Sequence, residues 1–363
     1  MGQPNRTLEY LGRAVDTPIT SVPMARALIR TGDPQGAISR IRPHLPASQS
    51  PLDVQRGLWF ALANACEKTG DFDGAYEAAS KGNAISSSGW NVEQDAERHQ
   101  ILMDMFSAEA MPMLPRSEVR GEKCVFIVGL LRSGSTLTEQ ILDAHPQATG
   151  IGESECLPRL IEECQSRAGT TLPWPALLGE VNESTMTEIA KAYLDEVERQ
   201  APDADLIIDK QLGNYLNLGA ISLLFPEAKI IHCTRDPMDL GLSCWMQKLP
   251  PGTNPWASDL ESIGQCWRHM HSLMSHWNQT LNIPILEVKY ETLVADLNQE
   301  VPRILEFCGL PENPACLEFW KTGRTVLTLS SDQVRQPIYH SAVGRHQAWG
   351  HRLDPLRAAI AEA

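Results

Sequence analysis

The stretch Gly129-Leu130-Leu131-Arg132-Ser133-Gly134-Ser135-Thr136 combines the residue types best suited to chemistry in this chain. Its spacing is that of the phosphate-binding loop G-x-x-x-x-G-K-S/T, with Ser135 standing where the lysine belongs. Glycines let successive backbone N–H groups turn inward on an anion, and the N-terminus of a following helix adds positive potential. The ammonium that would reach the outer phosphates of a nucleoside triphosphate is absent, and Arg132 supplies a cation from inside the loop instead. Gly129, Arg132, Ser133, Gly134, Ser135 and Thr136 therefore form a cradle for a phosphate-like anion, used otherwise than in an ATPase. The loop alone does not choose the anion.

Such a loop must be held between a strand and a helix. Cys124 to Val128 is a continuous apolar, β-rich run, the pattern of a strand buried on both faces, and Thr136 to Ala144 reads as an amphipathic helix. Further strands are expected at Leu206–Ile208, Lys229–Cys233 and Ile285–Val288, with helices at Leu216–Leu224 and Val301–Cys308. Strands alternating with helices predict an α/β fold with a P-loop-like parallel sheet flanked by helices.

The first 115 or so residues read differently. The pattern T-G-D-x-x-G-A occurs at Thr31 and again at Thr69, 38 residues on. Gly and Asp end one helix and cap the next, and the small Ala lets paired helices approach. A 34-residue tetratricopeptide-type unit plus the insertion Pro46-Ala47-Ser48-Gln49-Ser50-Pro51 fits that spacing. The simpler alternative is an all-helical cap without repeat function. Met111-Pro112-Met113-Leu114-Pro115 marks the boundary, giving an all-α, helical-repeat region over 1–115 and the α/β domain over 120–363.

Composition limits the partners. Of the 363 residues 42% are hydrophobic and 21% charged, as in ordinary globular proteins, so whole-chain disorder is excluded. A formal net charge of −14 opposes binding to nucleic acid or anionic membrane, and any anionic ligand needs a local positive site. Nine cysteines in irregular spacing with no C-x-x-C argue for reduced thiols rather than a disulfide framework or a zinc site. The N-terminal Met-Gly-Gln-Pro-Asn-Arg has no apolar signal region, and no apolar run is long enough to span a bilayer, so a soluble cytoplasmic protein is expected.

The segment F-I-V-G-L-L-R-S-G-S-T-L resembles the 5′-phosphosulfate loop of sulfotransferases that use 3′-phosphoadenosine 5′-phosphosulfate (PAPS). The nearest pattern is that of the tyrosylprotein sulfotransferases and of bacterial sulfotransferases with tetratricopeptide-like N-terminal segments. The resemblance runs from about Cys124 to Trp349 through several motifs in order. It implies the PAPS sulfotransferase fold, PAPS as cosubstrate without a metal, and transfer of a sulfuryl group to an acceptor hydroxyl with release of 3′,5′-adenosine bisphosphate.

It also implies residue roles. Arg235, in Thr234-Arg235-Asp236-Pro237, and Ser243 match the family's ligands for the 3′-phosphate. A guanidinium suits this role because it binds phosphate through paired hydrogen bonds. Glu153 lies 21 residues after Arg132, where the tyrosylprotein enzymes place their general base, with Glu155 as the rival for that role. Lys210 matches a lysine at a strand end that offsets charge on the sulfuryl group and leaving phosphate. Ser330, in the segment Ser330-Ser331-Asp332-Gln333-Val334, matches a serine of the active site. Arg345 matches a basic position of the cofactor-covering loop, and Tyr290 a tyrosine contacting the adenosine.

Departures narrow the acceptor. Glu155 occupies a position where the tyrosylprotein family has an arginine that holds acidic peptide, although Arg159 matches a second such arginine. The secretory anchor usual in that family is missing, and His145 is expected to cap a helix end rather than act as a base. A peptide tyrosine, a sugar hydroxyl or a small-molecule alcohol or phenol all remain open as acceptors. Trp245, Trp256, Trp267 and Trp277 could line an acceptor pocket or pack in a core. The helical region could bind a protein partner or mediate self-association. Two other functions compete: a P-loop nucleotide kinase or NTPase, disfavoured by Ser135, and a non-catalytic helical-repeat adaptor.

Overall fold

A computed structural model of the chain describes residues 4–46, 48–85, 89–250, 252–321, 338 and 340–361. Two compact units emerge, each assembled from separated stretches. One takes Met1–Val92, Pro237–Trp267 and Gly344–Ala363; the other takes Glu93–Asp236 and Arg268–Val343. The sequence division at 115–120 is linear, whereas these units are not. Most of the helix Val92–Met105 goes with the strands, because apolar contacts tie its end there: Phe106, fully buried, packs edge-on against Trp277 at 5.6 Å between ring centroids.

In the first unit the repeated pattern resolves into two helical hairpins, Pro18–Arg30 with Pro34–Ile41 and Leu52–Lys68 with Phe72–Ala84. The aspartate of each copy caps the second helix. Asp33 Oδ1 accepts the Gly36 N–H at 2.7 Å, and Asp71 Oδ1 accepts the Gly74 N–H at 2.9 Å. Ala37 and Ala75, the small residues of the pattern, are completely buried. The C-terminal segment belongs to the same unit. Trp349 is buried there and donates to Glu67 Oε1 at 3.1 Å.

The second unit is built on a parallel sheet of five strands: β1 (Cys124–Gly129), β2 (Ala148–Gly152), β3 (Leu206–Asp209), β4 (Lys229–Thr234) and β5 (Ile285–Lys289). Their order across the sheet is β2-β3-β1-β4-β5, all parallel. Every residue of β1 and β3 is buried, which explains why these strands read as unbroken apolar runs. One face packs Val125 and Ile127 into a core with Ile141, Leu142, Ile304 and Leu305. On the other, Phe126, Tyr193 and Phe225 cluster with centroids 5.1–6.1 Å apart.

Two expectations need correction. β2 was not anticipated, because Ala-Thr-Gly-Ile-Gly is short, glycine-rich and lies at the sheet edge, where neither alternation nor an apolar run is required. The helix Ser135–Asp143 is not amphipathic in use: all of its residues except Gln140 are buried. The expected strands β1, β3, β4 and β5 and the helices near 216–224 and 301–308 are present. All nine cysteines are buried and none is in a disulfide. Among the described residues no helix is long and apolar enough to cross a membrane.

The capping geometry gives a direct test. Asp71→Ala leaves the Gly74 N–H without its acceptor, so thermal or urea denaturation should show a loss of about 1 kcal/mol.

Candidate active site

The anion loop joins β1 to the helix Ser135–Asp143 at the carboxyl rim of the sheet. Arg132 has φ +67°, the one non-glycine residue in the left-handed region among the described residues. A non-glycine residue is held there only when its surroundings enforce it, a feature that gathers at functional sites. Gly134 caps the helix with φ +96°, and a Cβ there would lie 2.8 Å from Tyr290 Cδ2. Glycine is thus required both by its backbone and by the approach of the tyrosine. Ser133, Ser135 and Thr136 are buried, and the Ser133 hydroxyl oxygen has no hydrogen-bond partner among the described residues.

Arg235 leaves the end of the neighbouring strand β4 and folds onto this loop. Its Nη1 donates to Arg132 O at 3.1 Å and its Nη2 to Ala342 O at 2.6 Å. The guanidinium sits 4.7 Å over the Tyr290 ring, and its buried Nε has no acceptor among the described residues. The chain leaves β1 toward β2 on one side and β4 toward β5 on the other. A crevice between adjacent strands whose connections diverge is where open α/β sheets bind ligands. A buried serine hydroxyl and a buried guanidinium N–H, both unpaired, fit a phosphate-bearing group held at that crevice.

A second cluster occupies the ends of β3 and β2. Lys210 is completely buried, and its Nζ donates to Glu153 Oε1 at 2.5 Å. Its backbone N–H reaches Gly152 O at 3.0 Å, which locks the two strand ends together. The Glu153 side chain is 53% exposed, so the pair has one buried end and one end open to solvent. Behind it, Glu139 and Asp143 rise from the helix that follows the anion loop. Glu139 Oε1 accepts the Gly152 N–H at 3.0 Å and Asp143 Oδ1 the Gly150 N–H at 2.7 Å. These carboxylates pin the edge strand that carries Glu153. Burial pushes the Glu139 carboxyl above its ordinary value, against the opposing pull of Lys210 and of the Gly152 N–H.

Asp209, just before Lys210, is buried and accepts from Tyr193 Oη at 2.8 Å and from the Gln211 N–H at 3.1 Å. Burial raises it to about 7, with those hydrogen bonds pulling the other way.

Arg132, Ser133, Gly134, Ser135, Thr136, Arg235 and Tyr290 thus form one contiguous set. Lys210 and Glu153 form another, joined to the first through the helix that bears Glu139. Ser243 lies buried on the helix Pro237–Trp245 and Arg345 near the C-terminus, both in the first unit. There Arg345 Nε and Nη2 donate to Glu67 at 2.6 and 2.5 Å. Ser330 falls outside the described residues. Glu155 accepts from Gln211 Nε2 at 2.7 Å. Arg159 is engaged by Glu163 at 2.8 Å and Glu196 at 2.5 Å. His145 ends its helix as expected, with Nδ1 accepting the Gln147 N–H at 3.2 Å and Nε2 3.1 Å from Pro311 O. Trp277 is a core residue, fully buried and donating to Tyr215 O at 2.8 Å.

Sequence reasoning missed Glu139, Asp143 and Asp209. A signal existed for the first two: acids four residues apart lie on one helix face, one turn above each other.

Residues 124–314, more than half of the chain, match the family model of the sulfotransferase family, and the chain belongs to that family. An Aquifex aeolicus (strain VF5) protein described as uncharacterized is 31% identical over 320 residues, covering 86% of this chain and 42% of its own. Protein-tyrosine sulfotransferase 1 of Danio rerio is 27% identical over 244 residues, covering 61% of this chain and 64% of that protein. The chain therefore spans less than two thirds of either relative. The sulfotransferase domain of the Synechococcus PCC 7002 olefin synthase superposes with a TM-score of 0.46 at 21% identity, over 69% of this chain and 96% of that one.

The raised Asp209 carboxyl carries a pH signature. Between the ordinary value of 3.8 and about 7, the unfolded chain has lost this proton while the folded chain keeps it. Stability from this group is therefore full below 3.8 and declines as pH rises through about 7. Asp209→Asn should flatten the fall in Tm across that window relative to the parent; parallel curves would refute the assignment.

Proposed function

We propose that this chain transfers the sulfuryl group of PAPS to an acceptor hydroxyl and releases 3′,5′-adenosine bisphosphate. The observation that carries the reading is the Lys210–Glu153 pair, 2.5 Å apart, on the same sheet rim as the anion loop. PAPS supplies the activated S–O bond and the phosphate leaving group.

The residues divide the work as follows. The positive potential at the N-terminus of the helix Ser135–Asp143, together with the Ser133 hydroxyl, suits the 5′-phosphosulfate. Arg235, braced by Arg132 O, Ala342 O and the Tyr290 ring, directs its Nε N–H toward a phosphate, which we take to be the 3′-phosphate. Glu153 takes the proton as the acceptor O–H bond breaks and its oxygen bonds to sulfur. The S–O bond to the leaving phosphate breaks, and its electron pair stays on the bridging oxygen. Lys210 offsets the charge that gathers there. Positioning and fixed charges account for the acceleration, by the logic that applies to phosphoryl transfer.

The acceptor side is acidic. Glu153 is open to solvent, Glu155 follows two residues on, and Arg159 is already paired with Glu163 and Glu196. That balance favours a neutral hydroxyl compound over a tyrosine within an acidic peptide.

Incubation with radiolabelled PAPS and a panel of phenols, sugars, alcohols and tyrosine peptides tests the reaction. Glu153→Gln should lower kcat by about 10²–10⁴-fold and leave the affinity for 3′,5′-adenosine bisphosphate intact. Arg235→Ala should weaken that affinity about tenfold or more in calorimetry. Magnesium-dependent ATP turnover, or no nucleotide binding at millimolar concentration, would overturn the proposal.

A further inference from the structure

If Glu153 accepts the acceptor's proton, it ceases to be an anion at the moment when Lys210 must act as a cation. The surroundings of Lys210 make this demanding. The side chain is completely buried, and among the described residues two carboxylates pair with its Nζ: Glu153 at 2.5 Å and Glu139 Oε2 at 3.9 Å. The two differ in kind. Glu153 is open to solvent and to the acceptor, whereas the Glu139 side chain is 6% exposed. Glu139 is also fixed, since its Oε1 holds the Gly152 N–H and a Cβ on Gly150 would sit only 3.2 Å from its Cγ and Oε1.

We propose that Glu139 is a positioning residue, the buried counter-ion that keeps Lys210 charged and in place while Glu153 is neutralised by the acceptor's proton. This rests on the sulfuryl-transfer reading above. Before transfer the cluster holds one ammonium and two carboxylates. After the proton has moved to Glu153 this trio goes from a net −1 to neutral, with Glu139 as the carboxylate that still balances Lys210. Without Glu139 the same step would leave the Lys210 Nζ with no ion-paired carboxylate among the described residues, which burial disfavours strongly.

A purely mechanical role does not account for a carboxylate here. The Gly152 N–H needs one neutral oxygen, and an amide would provide it without the cost of burying a charge. The groups around Glu139 are Lys210 and Asp209 at the end of β3, Glu153 and the Gly152 N–H at the end of β2, and Asp143, which holds the same edge strand from the same helix. Lys210 is the one cation in that set.

Glu139→Gln preserves the shape and an oxygen for Gly152. The expected result is an unchanged affinity for 3′,5′-adenosine bisphosphate, a lower kcat at little change in the KM for PAPS, and an alkaline limb of the pH–rate profile moved down by about one pH unit. The direction follows from charge: removing an anion beside an ammonium favours loss of its proton. Adding Lys210→Arg to this variant should return the limb to high pH, because a guanidinium stays charged. An alkaline limb coincident with the parent's would overturn the proposal and leave Glu139 as a strand brace. Should Glu139→Gln fold poorly, Lys210→Met in the same chain decides: recovery of Tm supports the pair, and additive loss refutes it. A parent chain that moves no sulfate from PAPS, or Glu153→Gln as active as the parent, would instead defeat the underlying reading.

Discussion

A lysine buried at the carboxyl rim of a parallel sheet is the constraint around which the second unit is organised. An ammonium removed from water must be given carboxylates at close range, or it loses its charge. Lys210 has them from two directions, Glu153 on the next strand end and Glu139 on the helix behind. Meeting that need fixes much else. Glu139 is placed by the helix that begins at the anion loop, so the loop and the lysine are set by a single rigid element. The same helix grips β2 through Glu139 and Asp143, and so holds the short edge strand that presents Glu153.

The anion loop poses the complementary problem. The chain as a whole carries −14, so the anion binding we propose here needs a local arrangement of donors. That arrangement is made from residues far apart in sequence. Arg235 is anchored by the carbonyl of Arg132, by Ala342 and by the Tyr290 ring, which also presses on Gly134. The guanidinium is oriented before any ligand arrives, which lowers the entropy lost on binding. Two buried polar atoms, Ser133 Oγ and Arg235 Nε, have no hydrogen-bond partner among the described residues.

The first unit uses buried charge differently. Glu67, near the end of the helix Leu52–Lys68, gathers Arg345 and Trp349 and so ties the C-terminal segment to the helical hairpins. Arg345 therefore has a structural partner in its own unit, a contact that its position in a family motif does not reveal. Arg159 in the second unit is similar: a match to a basic position does not show that Glu163 and Glu196 already engage it.

The sequence by itself determined the α/β class, four of the five strands, the glycine-rich loop and the two Asp-capped helical segments, and the family motifs marked Lys210 and Glu153 as separate candidates. Those features rest on local physics. Apolar runs, glycine spacing and Asp caps act within a few residues, and the family motifs preserve their order along the chain. Only the tertiary structure decided that β2 is a strand, that the helix after the loop is buried all round, and that Glu139 and Asp143 serve the strand beside them. It also separated the two units along lines that no single cut in the chain reproduces, and it gave Arg345 and Arg159 carboxylate partners. The reason is that burial and charge pairing depend on what a distant segment brings to the same place. A glutamate in a helix reads as a solvated residue until the strand N–H and the ammonium that need it are set against it.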